Sequence, residues 1–426
     1  MLSILLITFL ILLILGCPIA IGMCFASFSA LLFGNTPVPL TVVPQRMFVT
    51  IDSFSMMAIP LFILAGELMN SAGITRRIVN FCSALVGHIR GGLAHVNILA
   101  SMLFAGISGA AAADSASLGS MLIPAMIEDG YDADFSVAVT ATSSTIGPII
   151  PPSIMMIIYG SMAGVSIGAL FMGGVIPGIL IGLVLMGIAY VISCKRGYKA
   201  EKKKTPREVW IAFKESLVAL IMPVIVLGGI LFGIFTTTEA GCIAVVYALI
   251  AGMIMKELHV NDLFRVFLSA ALTTASTMFV LASAQALGWI LARAQFPQMV
   301  VNMLLGVSDN GTIIFLLILL FLFFLGFFMD GTAAMIILIP VFLPVIAQYG
   351  WNPIQFADCI IMMLLVGAVT PPVGVLLFIC CGIAKISIAQ AAKAVYPFVF
   401  GEIAVIILCV FVPQLITFIP HLLYGV

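Results

Sequence analysis

Helix breakers recur inside the apolar stretches of this chain at one fixed spacing. Gly106, Pro124, Gly130, Gly147, Pro151 and Pro152 are matched 220 residues later by Gly326, Pro344, Gly350, Gly367, Pro371 and Pro372. Proline lacks an N–H and its ring clashes with the carbonyl four residues back, so these segments cannot all run as plain helices. The surroundings are extreme: 63% of the 426 residues are hydrophobic and only 8% are charged. No soluble globular domain has that balance, but an all-α polytopic membrane protein does. Broken helices at corresponding places of two halves are a pointer to the binding site of a secondary transporter.

Net charge is zero, so only the placement of charge is informative. Eight of the 17 basic residues lie between Cys194 and Lys214, between two apolar runs. A membrane protein places such a cluster in a cytoplasmic loop, and a nucleic-acid partner is not expected. The nine cysteines are scattered, with no C-x-x-C pair. They read as small core residues rather than a disulfide frame or metal site. The four histidines form no metal-binding motif. No P-loop, nucleophile elbow or dinucleotide fingerprint is present, so neither ATP hydrolysis nor another enzymatic activity is expected. The first apolar run lacks a basic leader and a small-residue cleavage site and reads as a span.

Apolar stretches cover about 2–15, 18–33, 51–73, 135–165, 168–193, 215–235, 239–255, 273–292, 354–384 and 394–420. Two further pairs, 93–107 with 115–128 and 313–327 with 333–348, are individually too short to cross ~30 Å of hydrocarbon. Small-residue turns join each pair, and both read as re-entrant hairpins. Backbone turns at that depth must be covered by protein or line a cavity. Arg76, Arg77 and Arg90 precede the first hairpin, and the basic segment 194–214 follows two spans after it. A hairpin that returns to its own side puts both basic clusters on one side, as the positive-inside rule requires. The second half then has inverted topology, and both termini fall on the periplasmic side. In this reading 2–33 is two short spans split at Gly16–Pro18; one long tilted helix is the alternative.

Each half supplies a hairpin tip, Gly106–Ser117 or Gly326–Thr332, and a break, Ser143–Ser153 or Gly367–Pro372. Paired prolines free backbone carbonyls. Together with Ser and Thr hydroxyls these are hard oxygen ligands that suit an alkali cation. The helices starting after each tip and break offer free N–H groups and positive dipole ends, which suit a carboxylate. Asp114 and Asp330 both lie in the hairpin turns and precede helix. Each either caps that helix or serves coupling-ion ligation and the charge of the site. Glu67, Glu239, Asp358 and Glu402 are further acids within or beside spans.

The segments SFSMMAIPLFILAGELMNSAGITRRIV, GGLAHVNILASMLFAGISGAAAADSASLG, GPIIPPSIMMIIYG, TEAG (Thr238–Gly241), GFFMDGTAAMIILIPVFLP and VTPPVGVLLF carry a resemblance over nearly the whole chain. It resembles the large membrane subunit of tripartite ATP-independent periplasmic (TRAP) transporters of the dicarboxylate and sialic acid type. Thr237 departs from the pattern, which usually has proline there. The resemblance implies sodium-driven uptake across the bacterial inner membrane, with Na+ as coupling ion and no cofactor. Substrate would arrive on a periplasmic substrate-binding protein, and a small four-helix membrane subunit would brace the scaffold in the lipid bilayer. Movement would be elevator-like. The family's sodium sites correspond to Ser108, Gly109, Thr145, Gly147, Gly326, Asp330, Gly367 and Thr370. Ser144, Pro148, Met329, Thr332 and Val369 complete the candidate cation set. Ala110, Asp114, Pro152, Ser153, Gly331 and Pro372 are candidate substrate contacts.

The implied division has scaffold and first arm helix over 1–92 and a first transport-domain half over 93–165. More scaffold, the basic loop and a second arm helix follow over 166–312. The second transport half is 313–384, and 385–426 is a C-terminal helix. A self-sufficient sodium/anion symporter of the same architecture is the alternative, and it would need no binding protein.

Overall fold

The computed structural model describes residues 1–200 and 202–425, all-helical apart from turns and short extended joints. Seven helical segments among the described residues are long and apolar enough to cross a membrane. Two short helices, α1 (Leu2–Ile14) and α2 (Ile19–Phe33), open the chain and pack on each other. Gly16, at φ +75°, and Pro18 separate them, so the run is split rather than one tilted helix. The short helix α3 (Val42–Ile51) was not expected; it packs on a later long helix. Next come α4 (Ala58–Ser71) and α5 (Ile74–Val86). The latter buries Ile74, Ile78, Val79 and Cys82 and leaves Arg76 exposed.

The first hairpin is α6 (Gly92–Ser108) and α7 (Ala111–Glu128). Its turn is shorter than the sequence implied. Only Gly109 and Ala110 leave the helix, because the alanines that follow are strong helix formers. The first broken helix is α8 (Ala133–Ser143), a single 3-10 turn at Ser144–Ile146, an irregular joint and α9 (Ile154–Ala163). Helices α10 (Ile167–Arg196) and α11 (Pro206–Leu231) follow. They take up both ends of the expected basic loop, leaving only 197–205 between them. The boundaries have local causes. Gly197 adopts the left-handed C-cap that ends α10. Thr205 and Glu208 form a capping box, with Pro206 at the first helical position of α11.

The TEAG motif does the same for α12 (Thr237–Ile254): Thr236 and Glu239 make its capping box. Thr237 stands at the first helical position, where proline is favoured but not required, so the departure from the family pattern stays local. Helix α13 (Val260–Arg293) runs 34 residues, about 50 Å, and starts well before the expected position 273. A short α14 (Phe296–Leu305) leads to the second hairpin, α15 (Gly311–Gly326) and α16 (Gly331–Tyr349). The second broken helix is α17 (Pro353–Val369) and α18 (Val375–Ala384). The stretch read as one C-terminal helix holds two, α19 (Ile388–Phe411) and α20 (Gln414–Tyr424). The break falls at Val412–Pro413, where proline cannot continue the helical bonding.

The two broken helices form the centre of the molecule. Every residue of α17 from Ile354 to Val369 is buried, as is every residue of α8 from Phe135 to Ser143. Helix α17 is apolar almost throughout, as an element enclosed on all sides must be. Helix α8 is not. Its Ser136, Thr140 and Thr142 hydroxyls instead donate to carbonyls one turn back, which satisfies them inside the helix.

Candidate functional site

Each hairpin tip is stitched to the break of its own half by a backbone hydrogen bond. Ile154 N donates to Gly109 O at 3.4 Å, and Gly374 N donates to Phe327 O at 3.4 Å. Gly109 needs to be glycine: its φ is +60°, and a Cβ there would lie 2.5 Å from Pro152 O. Both proline pairs, Pro151–Pro152 and Pro371–Pro372, are joined by cis peptide bonds.

Where the tips and breaks meet, a cavity of about 470 Å³ opens. The beginnings of four helices border it: Ala111 of α7, Ile154 of α9, Gly331 of α16 and Val375 of α18. Helix N-termini carry unpaired N–H groups and a partial positive charge, so their convergence makes this wall attractive to an anion. Of the sequence-derived candidates, Gly109, Ala110, Pro148, Asp330, Gly331 and Thr332 line the cavity. Three hydroxyl residues of α13 do so as well: Thr273, Ser276 and Thr277. The sequence reading missed them as site residues, although a Thr-Thr-x-Ser-Thr run in an apolar segment is a visible signal.

Asp330 is the N-cap of α16. Its Oδ1 accepts from Thr332 N at 2.9 Å and Ala333 N at 3.2 Å, and its side chain is exposed to the cavity. Asp114 is different from what the sequence implied. It does not precede α7 or cap it but sits within the first turn, fully buried and off the cavity wall. Ser108 donates a hydrogen bond to its Oδ1. Its Oδ2 has no hydrogen-bond partner among the described residues and lies against Gly147, where a Cβ would collide with it.

Around Asp114 runs a buried polar seam. Ser115 and Ser144 are 2.6 Å apart, Ser101 donates to Ser143 at 2.9 Å, and Asn97 donates to Thr140 at 2.6 Å. Thr145 donates to Thr142 O and contacts Glu402 of α19. Ser153 caps α9 by accepting from Met156 N and, like Pro152, is buried away from the cavity. In the second half Gly326 and Gly367 meet face to face: a Cβ on Gly367 would lie 2.7 Å from Gly326 Cα. Thr370 donates to Val366 O at 2.6 Å, and Val369 is buried beside it. Met329, part-buried, precedes Asp330 in the tip turn, and the exposed Pro372 follows the break. The structure thus brings the tips and breaks together but divides the candidates among the cavity wall, a seam behind it in the first half and the tip and break of the second half. Asp358 of α17 is buried against Gly173 of α10, away from both. Among the described residues no cluster of three or more His, Cys, Asp or Glu could hold a metal ion.

Residues 6–415 match the family described as "Tripartite ATP-independent periplasmic transporter, DctM component". The chain belongs to that family. It is therefore a multi-pass transporter permease and not an enzyme. It is 39% identical over 415 residues to the sialic acid TRAP transporter large permease protein SiaM of Vibrio cholerae, covering 97% of both chains. It is 38% identical over 403 residues to the 2,3-diketo-L-gulonate TRAP transporter large permease protein YiaN of Escherichia coli, covering 94% of this chain and 95% of that one. The fold is also similar to the crystal structure of the Alcanivorax borkumensis YdaH transporter. The TM-score is 0.60 at 13% identity, over 86% of this chain and 88% of the other. TRAP large permeases work with a small membrane subunit and a periplasmic binding protein.

Proposed function

We propose that this TRAP permease carries an organic acid anion inward across the bacterial inner membrane, coupled to sodium. The observation that carries the reading is the cavity where four helix N-termini converge beside the carboxylate of Asp330. An anion drawn to those N-termini meets a like charge in the same small space. A cation held at the tip relieves that repulsion, which couples the two solutes. Two relatives named for acidic sugars or sugar acids favour the same substrate class. Whether the acid is a sialic acid, a C4-dicarboxylate or a sugar acid depends largely on the binding protein that delivers it.

In this reading the cation ligands come from Ser108, Gly109, Ser144, Thr145, Gly147 and Pro148 in one half. Gly326, Met329, Asp330, Thr332, Gly367, Val369 and Thr370 supply them in the other. Ala110, Gly331 and the α13 hydroxyls contact substrate. Asp114 is better suited to the cation than to the anionic substrate, because it is buried among hydroxyls behind the wall. The segments 93–165 and 313–384, related as inverted repeats, move together past the remaining helices in an elevator motion. The loop 197–205 faces the cytoplasm and both termini face the periplasm.

The test is uptake in proteoliposomes containing the permease and small subunit, with substrate-loaded binding protein outside. Replacing sodium by potassium at constant membrane potential should abolish uptake. Uptake that persists on a proton gradient alone would overturn sodium coupling. Undiminished uptake without the binding protein would favour the self-sufficient symporter.

A further inference from the structure

Glu402 lies on α19, outside both hairpins and both breaks, yet its carboxyl reaches the first break. Its side chain is completely buried, with Oε1 2.6 Å from Thr145 Oγ1 and Oε2 without a hydrogen-bond partner among the described residues. Thr145 Oγ1 is also 2.7 Å from Thr142 O. A threonine hydroxyl has one hydrogen and two lone pairs. The Thr142 carbonyl and the Glu402 carboxyl both accept from that hydroxyl, so it is pinned between the break and α19 while its lone pairs stay free.

We propose that Glu402 is a positioning residue for cation binding at the first break: its carboxyl hydrogen-bonds the Thr145 hydroxyl and holds that oxygen in the orientation the ion meets. The proposal rests on the sodium-coupled reading above. It gives the C-terminal part of the chain a part in coupling, although Glu402 itself touches no ion. The geometry distinguishes this role from that of a charged ligand. A carboxyl oxygen can be replaced by an amide oxygen, so Glu402→Gln, whose Oε1 accepts from the same hydroxyl, retains the function. Glu402→Ala removes the partner and frees Thr145 to rotate.

The experiment uses sodium alone as the probe. The purified permease with its small subunit is titrated with sodium against potassium at constant ionic strength, and the sodium-dependent rise in melting temperature is read. The expected result for Glu402→Ala is a half-saturating sodium concentration raised about fivefold or more, and for Glu402→Gln one within about twofold of the parent protein. Thr145→Ala, which removes the oxygen itself, is the reference. A shift in Thr145→Ala with none in Glu402→Ala overturns the proposal and leaves sodium coupling intact. A parent protein indifferent to sodium removes both. Should Glu402→Ala fail to fold, Glu402→Gln decides alone: a value raised more than fivefold means the group acts as a charge and overturns the positioning role.

Discussion

The two halves of this permease share a backbone plan and differ in chemistry. In both, a hairpin tip is tied to a broken helix by one backbone hydrogen bond, and the proline pairs are cis in both. The side chains are another matter. At the same 220-residue spacing, the seam residues Asn97, Ser101, Ser115, Thr140, Ser143, Ser144 and Thr145 correspond to Leu317, Phe321, Met335, Ile360, Met363, Leu364 and Leu365. Every polar member of the first seam is apolar in the second. The carboxylates follow suit. Asp114 corresponds to Ala334, and Asp330 to Ala110. One acid is sealed inside its half, and the other stands on the cavity wall. Even matched glycines differ in use. Gly326 and Gly367 let two helices cross at contact distance, while Gly147 leaves room for the Asp114 carboxylate and Gly106 for the ring of Pro223. Repetition here preserves where the backbone opens, while the chemistry at each opening has been set separately.

The largest test of that difference is Asp114→Asn. The variant keeps the shape and the bond from Ser108 but can no longer offer a cation a carboxylate. A charge-assisted contact is stronger than a neutral one by about 1–2 kcal/mol, so transport should fall roughly 10-fold or more in a folded protein. Asp330→Asn comes next. Asparagine caps nearly as well as aspartate, so the protein should insert and fold, with transport reduced about tenfold, equivalent to ~1.4 kcal/mol. Near-normal uptake by the second variant would reduce Asp330 to a cap and place the working charge in the first half alone. A loss larger than that of Asp114→Asn would reverse the comparison.

Packing should show the opposite asymmetry. Gly367→Ala places a Cβ against backbone on the facing helix, which cannot move aside as a side chain can. Overpacking of this kind costs about 1–3 kcal/mol, and a lower melting temperature in detergent is the expected readout. An unchanged melting temperature would show that the crossing of α15 and α17 can open freely. Thr145→Ala and Thr370→Ala each remove one oxygen from a proposed cation site. The expected effect is a few-fold rise in half-saturating sodium at normal expression, and no change in either would move the ion elsewhere. The smallest effect lies at the end of α10. Arg196 bonds Asp132 and Asp134 at 2.8 Å, and Tyr198 donates to Asp132 at 2.7 Å. The Tyr198 hydroxyl first, and then Arg196, hold the Asp132 carboxyl below its ordinary range. A depressed carboxylate stabilises the fold above its unfolded-state value and loses that contribution as pH falls through the folded one. The advantage of the parent protein over Arg196→Ala should therefore be present at pH 7 and shrink below about pH 4. Since Asp132 is largely exposed, the difference should stay under about 1 kcal/mol.

Both hairpins, both breaks and the split near Gly16 were legible in the sequence, because glycine and proline act on the backbone locally. The TRAP resemblance was legible too, through those same segments. The extent of α13, the break at Pro413 and the brevity of the first turn were not. Helix ends in apolar sequence are set by packing as much as by propensity, and an alanine-rich turn reads equally well as loop or helix.

The sequence by itself determined where this chain must bend and which residues stand at the bends. Tertiary structure alone decided which of two similar aspartates is a cap and which is buried. It also brought Thr273, Ser276 and Thr277 to the cavity and Glu402 to Thr145. A breaker changes the φ and ψ of its own neighbourhood, so its effect can be read one residue at a time. The environment of a carboxyl group is made by helices far apart in the chain, 257 residues in the case of Thr145 and Glu402. No local pattern specifies which of those helices will pack against it.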